Sequence, residues 1–129
     1  MRSIIISLCF VLIVFLAGCQ SPNILDDPTL VTNLRFSPSA FDSFRQNSDL
    51  KYTLKYPSTL SAYIIKKDSS GQEYLVKTLS ENIHETKGTH STTWLGDTNQ
   101  RYFAPIGMYF GIISIEGRRY ETSVQVFHF

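Results

Sequence analysis

The residues best suited to metal chemistry are two histidines and two glutamates, Glu81, His84, Glu85 and His90, which fall within ten positions. The zinc-protease motif places two histidines one helical turn apart, with a glutamate directly after the first. His84 and His90 are six positions apart, and Gly88 stands between them. We therefore predict a solvated loop and a strand edge in this segment, and no metal site.

Other residues with chemical potential also lack the required neighbours. Asp97-Thr98-Asn99 begins like a calcium-binding loop, but Tyr102 stands where that loop needs glycine and Met108 where it needs its closing glutamate. A turn held by its own Asp and Asn side chains accounts better for this segment. The sequence contains no G-x-S-x-G motif and no glycine-rich phosphate loop. We therefore expect neither enzymatic activity nor a cofactor.

Cys19 is the residue whose surroundings point to a definite reaction. Arg2 precedes an apolar run over residues 4–16, which is short for a membrane span, and Leu16-Ala17-Gly18 places small residues before the cysteine. This arrangement resembles the signal of bacterial lipoproteins, which implies that residues 1–18 are removed and that Cys19 is acylated. An anchor of two or more acyl chains holds a protein stably on a membrane surface.

Cleavage before Cys19 would leave a small and electrically balanced chain. The whole sequence has twelve Lys and Arg against eleven Asp and Glu, and Arg2 is lost with the signal, so the mature formal charge is zero. A nucleic-acid partner is not expected, because a basic surplus on one face is absent. The second cysteine, Cys9, also leaves with the signal, so no disulfide is expected and a hydrophobic core must hold the fold.

The remaining chain divides into a tether over residues 19–29 and one domain over residues 30–129. The tether is polar and contains two prolines. In the domain, turn-rich clusters separate short β-favouring runs, which is typical of an all-β sandwich. We predict seven strands, near residues 31–36, 50–56, 60–67, 73–79, 90–95, 107–115 and 120–129. A hairpin turn is predicted at 68–71, a polar connection through Gly88, and another turn at Glu116-Gly117.

Motifs in the second half of the domain resemble those of the FlgD Ig-like family, the small β-sandwich of flagellar hook-capping proteins. His90 to Gly96 is similar to the family's H-x-x-x-W-D-G pattern, and Pro105-Ile106-Gly107-Met108-Tyr109 to its P-x-G-x-Y pattern. Upstream, Phe36-Ser37-Pro38 followed by Asp42 resembles the family's F-S-P-N-x-D opening, and segments 50–56 and 68–71 resemble its Y-x-L strand and D-x-x-G hairpin, in the same order. Leu95 and Arg101 depart from the pattern, as do Lys66 and Lys67.

The resemblance implies an Ig-like or fibronectin III-like sandwich over roughly residues 31–127. The physical chemistry of two residues agrees with that fold. Trp94 is the only tryptophan and lies in a strand, so we expect its ring at the centre of the core. Tyr109 lies near the start of its strand, where its hydroxyl can hold a loop as tyrosine corners do.

Two segments are candidate interaction surfaces. Tyr102 and Phe103 lie in the loop before Gly107 and either cap the open end of the sandwich, the interpretation we favour, or stack on a sugar or a protein. The run 124–129 has aromatic residues on one face and ends without a charge. It forms either an ordinary paired strand, again the favoured interpretation, or a strand offered to a partner.

Together these features predict a lipid-anchored protein of the bacterial cell envelope with a non-catalytic structural or protein-interaction module. Gln20 and Ser21 follow Cys19 without the aspartate that retains lipoproteins at the inner membrane of enteric bacteria, which favours the outer membrane. The expected partners are the membrane, through the anchor, and another envelope protein. The alternative is a carbohydrate-binding or adhesion module, which would need exposed coplanar aromatic rings near Tyr102 and Phe103.

Overall fold

The central strand of the smaller sheet alternates strictly between buried and partly exposed side chains. The computed structural model describes residues 27–128, and in it this strand spans Ser48–Leu54. Leu50, Tyr52 and Leu54 are buried, as their period of two predicts. The expected end at Tyr56 is wrong, because the chain leaves the strand after Leu54 and exposes the Tyr56 side chain.

The described residues form eight strands in two sheets, which confirms the predicted all-β sandwich. The strands are β1 Val31–Ser37, β2 Ala40–Asp42, β3 Ser48–Leu54, β4 Ser58–Lys67, β5 Glu73–Glu85, β6 Gly88–Trp94, β7 Gly107–Ile115 and β8 Arg118–Phe127. The three-stranded sheet has the order β1-β3-β6 and the five-stranded sheet the order β2-β8-β7-β4-β5. Every neighbouring pair is antiparallel except β2 and β8, which are parallel.

Two further sequence expectations for the strands are wrong. Strand β2 was not predicted, because its three residues lie among turn-forming residues and show no period. Strand β5 continues to Glu85, so only Thr86 and Lys87 join it to β6 in place of the expected polar connection. Pairing irregularities with β4, and a left-handed backbone at Asn82 with φ of 50°, shift the phase of β5 and hide its alternation.

Trp94 occupies the core between the two sheets. Its side chain is fully buried, and its ring lies 5.4 Å from the ring of Tyr109, 5.6 Å from that of Phe41 and 6.4 Å from that of Phe36, centroid to centroid. These tilted and edge-on contacts are the arrangements that aromatic pairs prefer. The prediction that Trp94 is a core residue is confirmed.

The sandwich has two distinguishable ends, which we name the near end and the far end. At the near end, the chain enters at Asp27, whose carboxylate accepts a hydrogen bond from Lys55 Nζ at 3.0 Å and whose carbonyl accepts one from the Tyr120 hydroxyl at 3.1 Å. At the far end, Ser48 pairs with Trp94. Since β3 runs from one end to the other, about 20 Å separates them.

The hydrogen bonds of Asp27 also set its ionisation. Bonds from the side chain and backbone of Thr29, and then from Lys55, lower the pKa of the Asp27 carboxyl from 3.8 to about 2. The end of the expected tether is therefore held against the domain from Asp27 onward. The predicted signal peptide over 1–18, Cys19 and tether residues 20–26 lie outside the described residues, as does Phe129.

Candidate functional site

Four large hydrophobic side chains are exposed together at the far end of the sandwich. Phe44 follows β2, whereas Leu95, Tyr102 and Phe103 belong to the segment between β6 and β7. Their exposed fractions are 52%, 57%, 72% and 56%, respectively. We call these four residues the distal patch. Exposed aromatic residues grouped at one site are more typical of interaction surfaces than of ordinary protein surface.

Gly96 brings the two segments of the distal patch together. Its φ of +76° lies in the left-handed region, and a Cβ atom built on it would lie 2.3 Å from the Cβ of Ser43. Only glycine satisfies both conditions without strain. The Gly96 backbone therefore packs directly on Ser43, which places Leu95 and Phe44 on adjacent backbones.

The loop that carries Tyr102 and Phe103 is a small ordered hairpin. Asp97 and Phe103 form an isolated antiparallel bridge, and the Ala104 N–H donates to the Gly96 carbonyl at 2.8 Å. At its tip, Arg101 adopts a left-handed backbone with φ of 71° and donates its N–H to the Thr98 carbonyl at 2.9 Å. The loop is thus held by its own backbone hydrogen bonds.

Side chains of the core anchor both ends of this hairpin. Trp94 Nε1 donates to the Asp97 carbonyl at 2.9 Å, and the Tyr109 hydroxyl donates to the Pro105 carbonyl at 2.6 Å. The second bond confirms that Tyr109 holds a loop, and burial raises the pKa of its hydroxyl. Two of the largest buried aromatic residues of the core therefore fix the position of the exposed loop.

The side chains of Asp97 and Asn99 connect the hairpin to β5, and the expectation that they bond within their own turn is wrong. Lys77 Nζ lies 2.9 Å from Asp97 Oδ2, and the Thr78 N–H donates to Asn99 Oδ1 at 3.1 Å. The Asn99 N–H in turn donates to the Val76 carbonyl at 2.9 Å. The hairpin is consequently fastened to the five-stranded sheet as well as to the core.

Phe44 links the hairpin to the end of the chain. Its ring meets that of Phe103 at 4.6 Å and 84°, and it stacks on the His128 imidazole at 3.8 Å and 20°. His128 Nε2 lies 2.8 Å from the Ser43 hydroxyl. A Ser–His pair is also found in nucleophilic catalysis, but Ser43 is 96% buried, so here the hydroxyl positions the imidazole under Phe44.

His84 and His90, the two histidines considered above as possible metal ligands, have different partners in the structure. The His90 ring lies between the Glu85 carboxylate and the Thr86 carbonyl, whereas His84 Nδ1 lies 3.3 Å from the Thr59 hydroxyl. Within residues 27–128, no group of three or more Asp, Glu, His or Cys side chains converges as metal ligands would. His90 therefore joins the end of β5 to the start of β6.

The structure separates the two interpretations offered for Tyr102 and Phe103. Ala104, which is fully buried, fills the end of the core, whereas the Tyr102 ring projects into solvent. The capping role is therefore wrong for Tyr102, and Phe103 rests on Phe44 at the surface. Sequence reasoning missed Phe44 and Leu95, although an aromatic residue inside the polar turn after Asp42 was an available signal.

The C-terminal run forms a paired strand, as the favoured interpretation predicts. Residues 124–126 pair with 107–109 of β7, and residues 125–127 pair in parallel with β2. Just after its end, His128 stacks under Phe44 of the distal patch, so the last strand supports the patch without offering a free edge there.

Comparison with known proteins adds no relative. No protein-family model, no curated protein and no solved structure matches this chain. Within the part of the chain that the structure describes, there is no helix long and apolar enough to cross a membrane.

Proposed function

We propose that this chain is a lipid-anchored envelope protein whose β-sandwich is a non-catalytic module that binds another envelope protein through the distal patch. The observation that carries the proposal is the position of the patch. It lies at the far end of the sandwich, about 20 Å from the point where Asp27 enters the domain. An anchor at Cys19 would hold the near end toward the lipid, and the patch would then project toward partners.

The order of the hairpin supports a binding role. Its backbone bonds, the Trp94 and Tyr109 anchors and the Lys77–Asp97 ion pair hold the patch in one conformation before any partner arrives. A preformed surface loses little conformational entropy on binding, so more of the contact energy contributes to affinity. Aromatic side chains of this kind frequently dominate the binding energy of protein interfaces.

Ring geometry favours a protein over a glycan as the ligand. A sugar-stacking platform needs coplanar exposed rings, whereas Phe44 and Phe103 meet at 84°. An uneven surface of perpendicular rings with Leu95 beside them fits the varied side chains of a protein better. The carbohydrate-binding alternative retains one supporting observation, the 72% exposed ring of Tyr102.

The proposal has two further parts. The first is that the domain belongs to the FlgD Ig-like family, and the second is that the anchor lies in the outer membrane. The sandwich fold, the buried Trp94 and the Tyr109 bond to the loop support the first. The residues after Cys19 are Gln20 and Ser21 and not aspartate, which supports the outer-membrane location.

The test compares two matched double variants of the full chain. Tyr102→Ser with Phe103→Ser removes the patch rings, whereas Tyr74→Ser with Leu75→Ser removes side chains of similar exposure, 53% and 60%, from β5. We expect affinity-purified complexes from membranes to lose one defined protein in the first variant only. Retention of every partner in the patch variant would refute the proposal, and selective loss of glycan-array binding would favour the carbohydrate alternative.

A further inference from the structure

The edges of the two sheets are protected unequally. Edge strands expose unpaired backbone N–H and C=O groups, and proteins guard them with bulges, charges, proline, short length or covering loops. Strand β1 has a pairing irregularity between Thr32 and Arg35, with Asn33 in a left-handed conformation at φ of 53°. On the five-stranded sheet, β2 has only three residues, and the uncovered part of β8 carries charged side chains at 118, 119 and 121.

Strand β5 is protected twice. Its pairing with β4 has three irregularities, and Asn99 occupies part of its outer edge through bonds to Val76 and Thr78. A further strand could not add there without displacing the hairpin that carries the distal patch. Three of the four sheet edges therefore carry recognisable protection.

Strand β6 forms the fourth edge, and within residues 27–128 it carries none of these devices. It pairs with β3 through seven consecutive residues without an irregularity, and residues 88–94 contain no Lys, Arg, Asp, Glu or Pro. Its only sheet neighbour is β3, and no backbone hydrogen bond from the described residues reaches its other side. Residues 89–93 are Thr, His, Ser, Thr and Thr, and threonine in particular suits extended backbone.

The surroundings of this edge indicate what kind of strand would fit. Across the open side of the sandwich, Leu79 and Ile83 of β5 pack on the core but stay partly exposed. A strand added beside β6 would point alternate side chains inward toward these residues. Apolar side chains at those positions would complete their burial.

A second copy of this chain fits the edge less well. Antiparallel pairing of two β6 strands about Ser91 would place the His90 of one beside the Thr92 of the other. Both residues lie on the inner face, since His90 packs beside the Tyr52 ring at 5.8 Å. Polar side chains would then face the apolar groups of β5.

We propose that β6 is a docking edge for an extended segment of another protein, with apolar residues at alternate positions and uncharged residues between them. The segment adds to the three-stranded sheet as a fourth strand, so that backbone hydrogen bonds supply affinity and the inward apolar side chains supply selectivity. This edge is separate from the distal patch, so a result that refutes binding at one surface does not refute binding at the other.

Hydrogen exchange measured by mass spectrometry on the full chain in detergent tests the proposal. The probe is a nine-residue peptide of alternating valine and threonine with blocked ends. At a peptide concentration ten times its Kd, we expect amide exchange in residues 88–94 to slow about tenfold. Exchange in residues 118–124, the partly uncovered edge of β8, should not change.

Two comparisons identify the mode of binding. A fully N-methylated peptide, which keeps the side chains but donates no backbone hydrogen bond, should give no protection. Leu79→Ser should raise the Kd about tenfold through lost apolar contact, whereas Leu75→Ser, on the same strand and more exposed, should leave it unchanged.

Three results would overturn the inference. These are no slowing at millimolar peptide, equal protection by the N-methylated peptide, and protection of residues 88–94 that grows with protein concentration without peptide. The last result would assign the edge to a second copy of this chain.

Discussion

Replacing Gly96 with alanine should destabilise the domain more than the same change at any exposed glycine turn. Two costs combine at this position. Holding alanine at φ of +76° costs about 1–2 kcal/mol, and the new Cβ would lie 2.3 Å from the Cβ of Ser43. Relieving such an overlap typically costs a further ~1–3 kcal/mol. The free energy of unfolding should therefore fall by about 2–5 kcal/mol.

Gly71→Ala is the matched control, because it carries the first cost without the second. Gly71 has φ of +88° in the hairpin between β4 and β5, and no atom lies within 4 Å of its added Cβ. Loss of glycine flexibility in the unfolded chain affects both variants alike and cancels. The difference between them, about 1–3 kcal/mol, then measures the overlap with Ser43 alone.

Urea unfolding followed by tryptophan fluorescence measures both variants, since Trp94 is the only tryptophan. We expect the midpoint for Gly96→Ala to lie clearly below that for Gly71→Ala, with similar slopes. Equal loss of stability in the two variants would refute the close packing of Gly96 on Ser43. It would also remove the reason given for the adjacency of Leu95 and Phe44.

Further predictions concern the core, the two ends and the anchor. Trp94→Ala should lower the free energy of unfolding by about 3–5 kcal/mol, measured by circular dichroism, and acrylamide should quench the native Trp94 poorly; free quenching would contradict its burial. Tyr102→Ala with Phe103→Ala should change thermal stability little, because both rings are mostly exposed, and a large fall in melting temperature would restore the capping role. The pKa of Asp27 is lowered to about 2 in the folded state, so the stability it contributes should be present above about pH 4 and lost as the pH falls toward 2. Urea titrations of Asp27→Asn and the parent should therefore differ at neutral pH and converge near pH 2. Cys19→Ser should leave the protein unprocessed or release it from membranes, and normal fractionation of a processed variant would exclude lipidation.

The sequence predicted the sandwich because its core strands keep the period of two. Residues 107–115 and the hairpin at 68–71 match the structure, and Asp68 Oδ1 accepts the N–H groups of Ser70 and Gln72 as the turn requires. Pairing irregularities obscured the end of β5. Strand β2 was missed because three residues are too few to show a pattern.

The candidate site was only partly predictable. Tyr102 and Phe103 were recognisable as aromatic residues in a turn-rich loop. The contribution of Phe44 could not be found from local sequence, because it depends on the close approach of Gly96 to Ser43 across more than fifty positions. The partners of Asp97 and Asn99 on β5 were hidden for the same reason, since side-chain bonds between distant segments leave no local pattern.

The most direct test of the proposed function is photo-crosslinking in living cells from a single position in the distal patch. A photoreactive phenylalanine analogue is placed at Tyr102 in one strain and at Tyr74, exposed on β5, in another. We predict one protein adduct of defined mass from position 102, absent from position 74 and lost when Phe44→Ser is added. No adduct from position 102, or the same adducts from both positions, would contradict binding of a partner protein at the distal patch.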